Sequence, residues 1–357
     1  DGIRDIGVTG VQTCALPIYV TKEAIIAEAN SNYDKAISAL TLATSTTDYN
    51  ATMAKLIPGH VQTGRGGILS TAMWTRTINT MKARNILVNT TLANMTAAQW
   101  NSILTLTANG VQSSDLIFTG RTNALGSFLE NTVADKTSQN ATTGSTNTYK
   151  LSERWVQDFV AGDKRRDNNV LTLASVGLFN TDRGNAFNTR HTLINGGSGV
   201  SGTYSYVNTT AGAFELPLAS TFEENALMRA EALINTGQIN QGLALVDAVR
   251  AAMGAGLAPV TNTGLTQAQA QEELRRERRI ALAFRGLSFY DDRRYKISEP
   301  VAAGGGRTGC VVLTNTGAVN TNATIEYGYL DYWDVPDNEL AYNPAASGSA
   351  PTKNPKQ

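Results

Sequence analysis

The chain carries only two histidines, His60 and His191, and two cysteines, Cys14 and Cys310. They leave little for a histidine-based metal or catalytic site, and at most one disulfide. The run GRGG at Gly64–Gly67 lacks the Lys-Ser/Thr that makes a phosphate cradle, so it reads as a plain loop. Carboxylates are plentiful, and a glycosidase would need two of them facing each other across a cleft. Spacing alone does not say which converge, and nothing resembles a Ser-His-Asp set. The charges with a legible pattern lie in Glu272–Lys296, EELRRERRIALAFRGLSFYDDRRYK. At helical spacing, Leu274, Arg278, Ala281 and Arg285 share one line, and Leu274, Glu277, Ala281 and Phe284 the next, beside Ile280. Glu277 and Arg278 thus sit against the apolar face. Charges so placed pair with one another, because unpaired burial is costly.

The elements that position these residues read as helices. Tyr19–Ala43 repeats apolar residues at three- and four-residue spacing, and Thr41–Thr47 frays into polar residues. Ile68–Leu92 forms the next helix, with Trp74, Ile78, Met81 and Asn85 on one face and Trp74 read as core. Thr96–Gly110 follows, with Thr96 as N-cap and Gly110 as stop. Asn131–Thr148 is a Thr/Ser/Asn-rich linker. In LSERWVQDFVAGDKRRDNN, Trp155 and Phe159 share a face, and Asp163–Asp167 reads as a solvated charge cluster. Phe179–Phe214 has no helical period, although Tyr204 and Tyr206 alternate with Ser205 and Val207 as in a strand. Thr221–Met253 is a helix pair, with Thr221 and Glu224 as a capping box, Ala226, Leu227, Ala230 and Leu233 on the first helix, a turn at Gly237, and Ile239, Leu243, Val246 and Val249 on the second. Its small residues let two antiparallel helices approach closely, the logic of tetratricopeptide repeats. Gly286 ends or bends the helix before Phe289 and Tyr290, and Pro300–Asn322 reads as Gly-rich and irregular.

With 30 basic and 30 acidic residues, the formal charge is zero, which gives no electrostatic footprint for nucleic acid or acidic lipid. No apolar run is long enough to span a bilayer. Cys310 reads as a small packing residue.

Three ordered motifs resemble the SusD/RagB family of bacterial outer-membrane nutrient-binding lipoproteins. Glu277, Arg278, Arg279, Leu282, Phe284, Gly286, Phe289, Asp291, Arg293 and Arg294 match its C-terminal signature, although Ala281, Arg285 and Ser288 depart from it. Arg229, Ala230, Glu231 and Ala232, then Val249 and Arg250, match the helix pair, and Glu231 is expected to pair with an arginine near 278. Trp333, Val335, Pro336, Glu339, Asn343 and Pro344 match its closing segment, in which Trp333 reads as core. Weaker matches reach back through Lys82-Ala83-Arg84 and Asp115 to Phe118.

The resemblance implies a mainly α, SusD-like fold with tetratricopeptide-like helix pairs and long irregular loops. It would form one domain over 19–344, with a loop-rich insert about 120–220 and a tail at 345–357. Residues 8–18 look like a translated sequencing adaptor, so 1–18 are set apart from the fold, and an anchor-bearing N-terminal portion is expected to be missing. The implied function is non-catalytic: capture of an oligosaccharide or other nutrient at the outer-membrane surface, and delivery to a SusC-type TonB-dependent transporter. No cofactor, metal or nucleic acid is implied, and the membrane enters only through the lipid anchor. Family members carry sugar-contacting aromatics before the last helix pair, which makes Trp155, Tyr204 and Tyr206 the ligand-binding candidates; each could instead anchor a loop. A protein-binding helical scaffold and a glycoside hydrolase are the competing classes.

Overall fold

The computed structural model describes residues 19–57, 67–121, 150–177, 188–194, 215–217, 220–326 and 334–353. In chain order the first elements are α1 (Lys22–Leu40), α2 (Thr46–Leu56), α3 (Thr71–Val88), α4 (Ala97–Ala108), β1 (Thr119–Arg121) and β2 (Lys150–Leu151). Next come α5 (Glu153–Val156), α6 (Lys164–Asn169), β3 (Val170–Gly177), β4 (Thr189–Leu193) and β5 (Glu215–Pro217). The chain continues through α7 (Phe222–Asn235), α8 (Ile239–Ala252), α9 (Gln267–Ala281), α10 (Leu287–Arg294), β6 (Arg307–Leu313), β7 (Val319–Ile325) and α11 (Asp337–Tyr342). The fold is mainly α, as expected. The described residues fall into two compact units, one within Tyr33–Tyr327 and one from Asp1–Asn32 and Gly328–Gln357. All side-chain contacts described below lie within Tyr33–Tyr327.

Helix α7 is the centre of that unit, because ten of its fourteen residues are buried and no face is left for solvent. Leu227, Ala230 and Ile234 pack against Leu243, Val246 and Val249 of α8, all essentially fully buried. Side chains of this size contribute roughly 1.5–3 kcal/mol each on burial. The helices approach closely because position 242 is glycine: a Cβ there would lie 2.6 Å from Ile234 Cγ1 and 2.8 Å from the Ala230 carbonyl. Gly237 turns the chain between them at φ +84°, backbone that glycine adopts without strain. The opposite side of α7 places Met228 and Ala232 against Ala83, Leu87, Trp100 and Ile103 from α3 and α4.

Polar contacts fix α3 and α4 to α7. Asn225 donates to the Thr107 carbonyl (2.9 Å) and accepts from Thr80 Oγ1 (3.0 Å). Thr221 caps α7 by accepting from the Glu224 N–H. The reciprocal half of the expected capping box does not form, because the Glu224 carboxylate is taken by Arg84 through both guanidinium arms. At the N-terminus of α4, Thr96 and Gln99 do form the reciprocal box. Trp74 is half-buried against Phe118, with ring centroids 5.0 Å apart.

Two local readings are corrected. Polar Thr41–Thr47 does not simply fray: Ser45 caps a further helix, α2, by accepting from the Asp48 N–H. The Gly-rich stretch after Pro300 folds as an antiparallel hairpin, β6 with β7. Its register shifts twice, between Arg307 and Cys310 and between Cys310 and Val312, so the apolar alternation that marks a strand is broken. Buried Cys310 and Leu313 hold β6 down, and burial pushes the Cys310 thiol pKa up, as suits a packing residue.

Candidate functional site

The site rests on a spine of buried charges, as the position of Glu277 and Arg278 on α9 required. Arg165 is fully buried and is held on both sides, by Asp163 (2.7 Å) and by Glu277 (2.5 Å). Glu277 also accepts from Arg250 Nε (3.0 Å), whose other arm reaches Glu273 (2.8 Å). A second cluster joins α9, α10 and α7. Arg278 binds Asp291 through two bonds of 2.8 and 3.0 Å, and Arg294 links Asp291 to Glu231. Burial alone would raise the Asp291 carboxyl pKa, but Arg278 and Arg294 hold it below its ordinary value.

Two expectations change here. Glu231 pairs with Arg294 of α10, at 2.6 and 2.5 Å, and not with the arginines next to 278. The Asp163–Asp167 stretch is not uniformly solvated, since Asp163 caps α6 and both Asp163 and Arg165 are buried. Their run of charges reads as surface in isolation. Its partner, Glu277, is more than a hundred residues away.

Beside this spine a cleft of about 660 Å³ opens between α5, α9, α10 and the start of β6. Its wall is rich in arginine: Arg154, Arg275, Arg276, Arg279 and Arg307. Asp158 accepts from Arg279 (2.8 and 3.0 Å) and from Arg307 (2.8 Å), which ties α5's exit, α9 and the hairpin into one frame. Arg275 lies over the Tyr295 ring, 4.2 Å from its centroid.

Trp155 lines this cleft. Its Nε1–H donates to the Arg279 carbonyl (2.9 Å), and its ring meets Phe159 edge-on at 4.9 Å. A tilted contact at 5.8 Å connects it to Phe284, which is 46% exposed. Phe284 holds φ at +63°, backbone that side-chain-bearing residues rarely adopt. The turn between α9 and α10 therefore presents an aromatic ring outward instead of folding it into the core, and such strain clusters at functional positions. The sequence offers Trp155 as a ligand candidate and does not offer Phe284, which matches the family pattern and reads as part of the helix beside Ala281. The positive φ that turns it outward leaves no signal in the sequence.

Asp292 is the cleft's unbalanced carboxylate. Burial and the neighbouring Asp291 push its pKa up to about 6, against the pull of Arg307, Arg279 and Arg154. A separate polar group lies under β4. Glu153 takes Arg190 (3.0 and 2.8 Å) and His191 Nε2 (3.1 Å), while His191 Nδ1 is 3.0 Å from Thr172 Oγ1. Burial would raise the Glu153 carboxyl pKa, but hydrogen bonds from His191 and Arg190 hold it far below the carboxylate range. The Thr172 hydroxyl also accepts from Arg166, and the side chains lining the cleft do not include it. This group fastens α5 to the sheet.

Of the three aromatic candidates, only Trp155 falls among the described residues. Tyr204 and Tyr206 lie outside them, as do His60, the GRGG run up to Gly66, the 131–148 linker, Trp333 and residues 1–18. Among the described residues there is no group of three or more His, Cys, Asp or Glu side chains that could hold a metal ion. No helix among them is long and apolar enough to cross a membrane.

A helical frame built on buried ion pairs thus holds an open cleft with Trp155 in its wall. The SusD family model matches residues 224–347, the span that contains the helix pair, the buried spine and α9–α10. Over these residues the chain is similar to the SusD family. None of the curated proteins matches it. A SusD superfamily protein from Bacteroides vulgatus is 15% identical, with 80% of this chain and 60% of that one covered and a TM-score of 0.49. A SusD-like carbohydrate binding protein from the same organism is 13% identical, with 92% and 66% covered and a TM-score of 0.48. A SusD-like protein from Bacteroides fragilis is 15% identical, with 70% and 60% covered and a TM-score of 0.44. The chain thus spans about 60% of the length of the first of these structures.

Proposed function

We propose that this chain is a non-catalytic glycan-binding protein of the outer membrane's outer face, lipid-anchored in its intact form. It captures oligosaccharide and hands it to a SusC-type TonB-dependent transporter. The SusD match supports the class, and the observation that carries the reading is Trp155 in the cleft wall, with the part-exposed Phe284 ring in contact with it. Aromatic rings suit the weakly polar C–H faces of sugars, and a partly open cleft with a few fixed polar groups can bind without preparing a reaction. Trp155 is held by its indole bond and by Phe159, so little ordering is required when a sugar stacks on it. Tyr204 and Tyr206 remain proposed contacts alongside it.

Affinity electrophoresis of the whole chain through gels containing neutral or acidic polysaccharides tests this. We expect retardation by at least one polymer, and its loss in Trp155→Ala while circular dichroism stays helical. A folded wild-type chain that no polymer retards would overturn the proposal, and unchanged retardation of Trp155→Ala would remove that residue from the site.

A further inference from the structure

Resting on that reading, we propose that the sugar bound in this cleft bears an anionic group, a carboxylate or a sulfate ester, and that Arg154 and Arg275 hold it. Arg276 is taken by Glu273 at 2.5 Å, and Arg279 by Asp158 at 2.8 Å and Glu272 at 3.2 Å. Arg307 is also taken by Asp158, while Asp291 is held between Arg278 and Arg294. Arg154 and Arg275 remain. Among the described residues neither has a carboxylate within 4.0 Å, and Arg275 is steadied only by the Tyr295 ring. Both are half-buried. A guanidinium kept partly out of water without an anion is held at a cost that a ligand anion can offset.

The chemistry of the remaining lining agrees. A site built for neutral sugar hydroxyls uses uncommitted amides. Gln157, the amide in the cleft, is occupied by the hairpin: it accepts from the Val311 N–H (2.6 Å) and donates to the Gly309 carbonyl (3.4 Å). The planar fork of arginine matches a carboxylate or sulfate in two bonds, and such charge-assisted bonds are about twice as strong as neutral ones. Arg154 adjoins Trp155 in sequence and projects from the same short helix. A pyranose stacked on Trp155 can thus carry its substituent towards an arginine. Asp292 opposes this charge, together with Asp291, while Arg307, Arg279 and Arg154 face it. Because burial makes Asp292 easy to protonate, its opposition fades as pH falls towards 5.

Isothermal titration of the full chain with trigalacturonate, a sulfated chondroitin disaccharide and maltotriose separates the possibilities. We expect one anionic ligand to bind at least about tenfold more tightly than maltotriose. Its affinity should fall as salt is raised. Arg154→Gln and Arg275→Gln should each reduce the preference several-fold. Trigalacturonate and the chondroitin disaccharide distinguish a carboxylate site from a sulfate site. Equal binding of neutral and anionic ligands, or a preference that survives both substitutions and high salt, would overturn this inference and leave glycan capture standing. A folded chain that binds none of the three, and is retarded by no polysaccharide, would overturn both.

Discussion

Arg294→Met is the sharpest test of the buried spine. The Glu231 side chain is 1% exposed, and among the described residues its carboxylate is held by Arg294 alone, at 2.6 and 2.5 Å. Methionine fills much of the arginine's volume, so the loss is mainly electrostatic. It strands Glu231 and takes one of the three arginine bonds from Asp291, which keeps its two to Arg278. Removing one partner of a buried pair costs about 3–5 kcal/mol. With a urea m-value of about 3 kcal/mol/M, the unfolding midpoint should fall by about 1–1.7 M. Replacing the partner as well, in Glu231→Leu/Arg294→Met, removes the stranded charge and should bring stability back to within about 2 kcal/mol of the starting protein. The assay is urea unfolding followed by far-UV circular dichroism on all four proteins of the cycle. A single substitution within 1 kcal/mol of the parent, or a double whose cost equals the sum of the singles, would refute the reasoning.

Other outcomes follow from the same geometry. Asp292 has its folded pKa raised from 3.8 to about 6, so the native chain binds more protons than the unfolded chain between those values. Stability should therefore fall as pH rises from about 4 to 6, and Asp292→Asn should raise it by about 1–2 kcal/mol at pH 7, flattening that slope in urea titrations. Gly110→Ala would place a Cβ 2.0 Å from Asn225 Oδ1 and 2.6 Å from Thr80 Oγ1, at the junction of α3, α4 and α7. A loss of about 1–3 kcal/mol in thermal or urea unfolding is expected. Phe284→Gly relaxes the φ of +63°, and should stabilise the chain by up to about 1 kcal/mol while weakening sugar binding. A glycine variant that binds as tightly as the parent would remove Phe284 from the site.

The sequence made the helical frame legible because its signals are local. Ala226, Leu227, Ala230 and Leu233 recur at helical spacing, Thr96 and Gln99 meet within one turn, and Gly237 marks a chain reversal. The position of Glu277 and Arg278 on the apolar face correctly required buried partners. It could not name them, since Arg165 lies 112 positions from Glu277 and Glu231 lies 63 from Arg294. Each carboxylate had several arginines of equal local merit, and only the tertiary fold selects one. For the same reason Glu224 left its expected capping role for Arg84, 140 positions away. The β6–β7 hairpin was hidden by its register shifts, and the ring of Phe284 by a backbone angle. The cleft itself is made by four elements that meet only in three dimensions. Trp155 was legible as an aromatic of interest, while the arginines around it read as charge without a destination.

The central claim is that sugar is captured at Trp155 and Phe284, and hydroxyl-radical footprinting of the full chain tests it most directly. The measurement is oxidation at each aromatic residue, by mass spectrometry, with and without a saturating oligosaccharide chosen from the electrophoresis panel. Trp155 and Phe284 should be protected together, with Trp74 and Trp100 unchanged. Protection confined to Tyr204 and Tyr206, with Trp155 and Phe284 oxidised as before, would contradict it and place the ligand elsewhere on the chain.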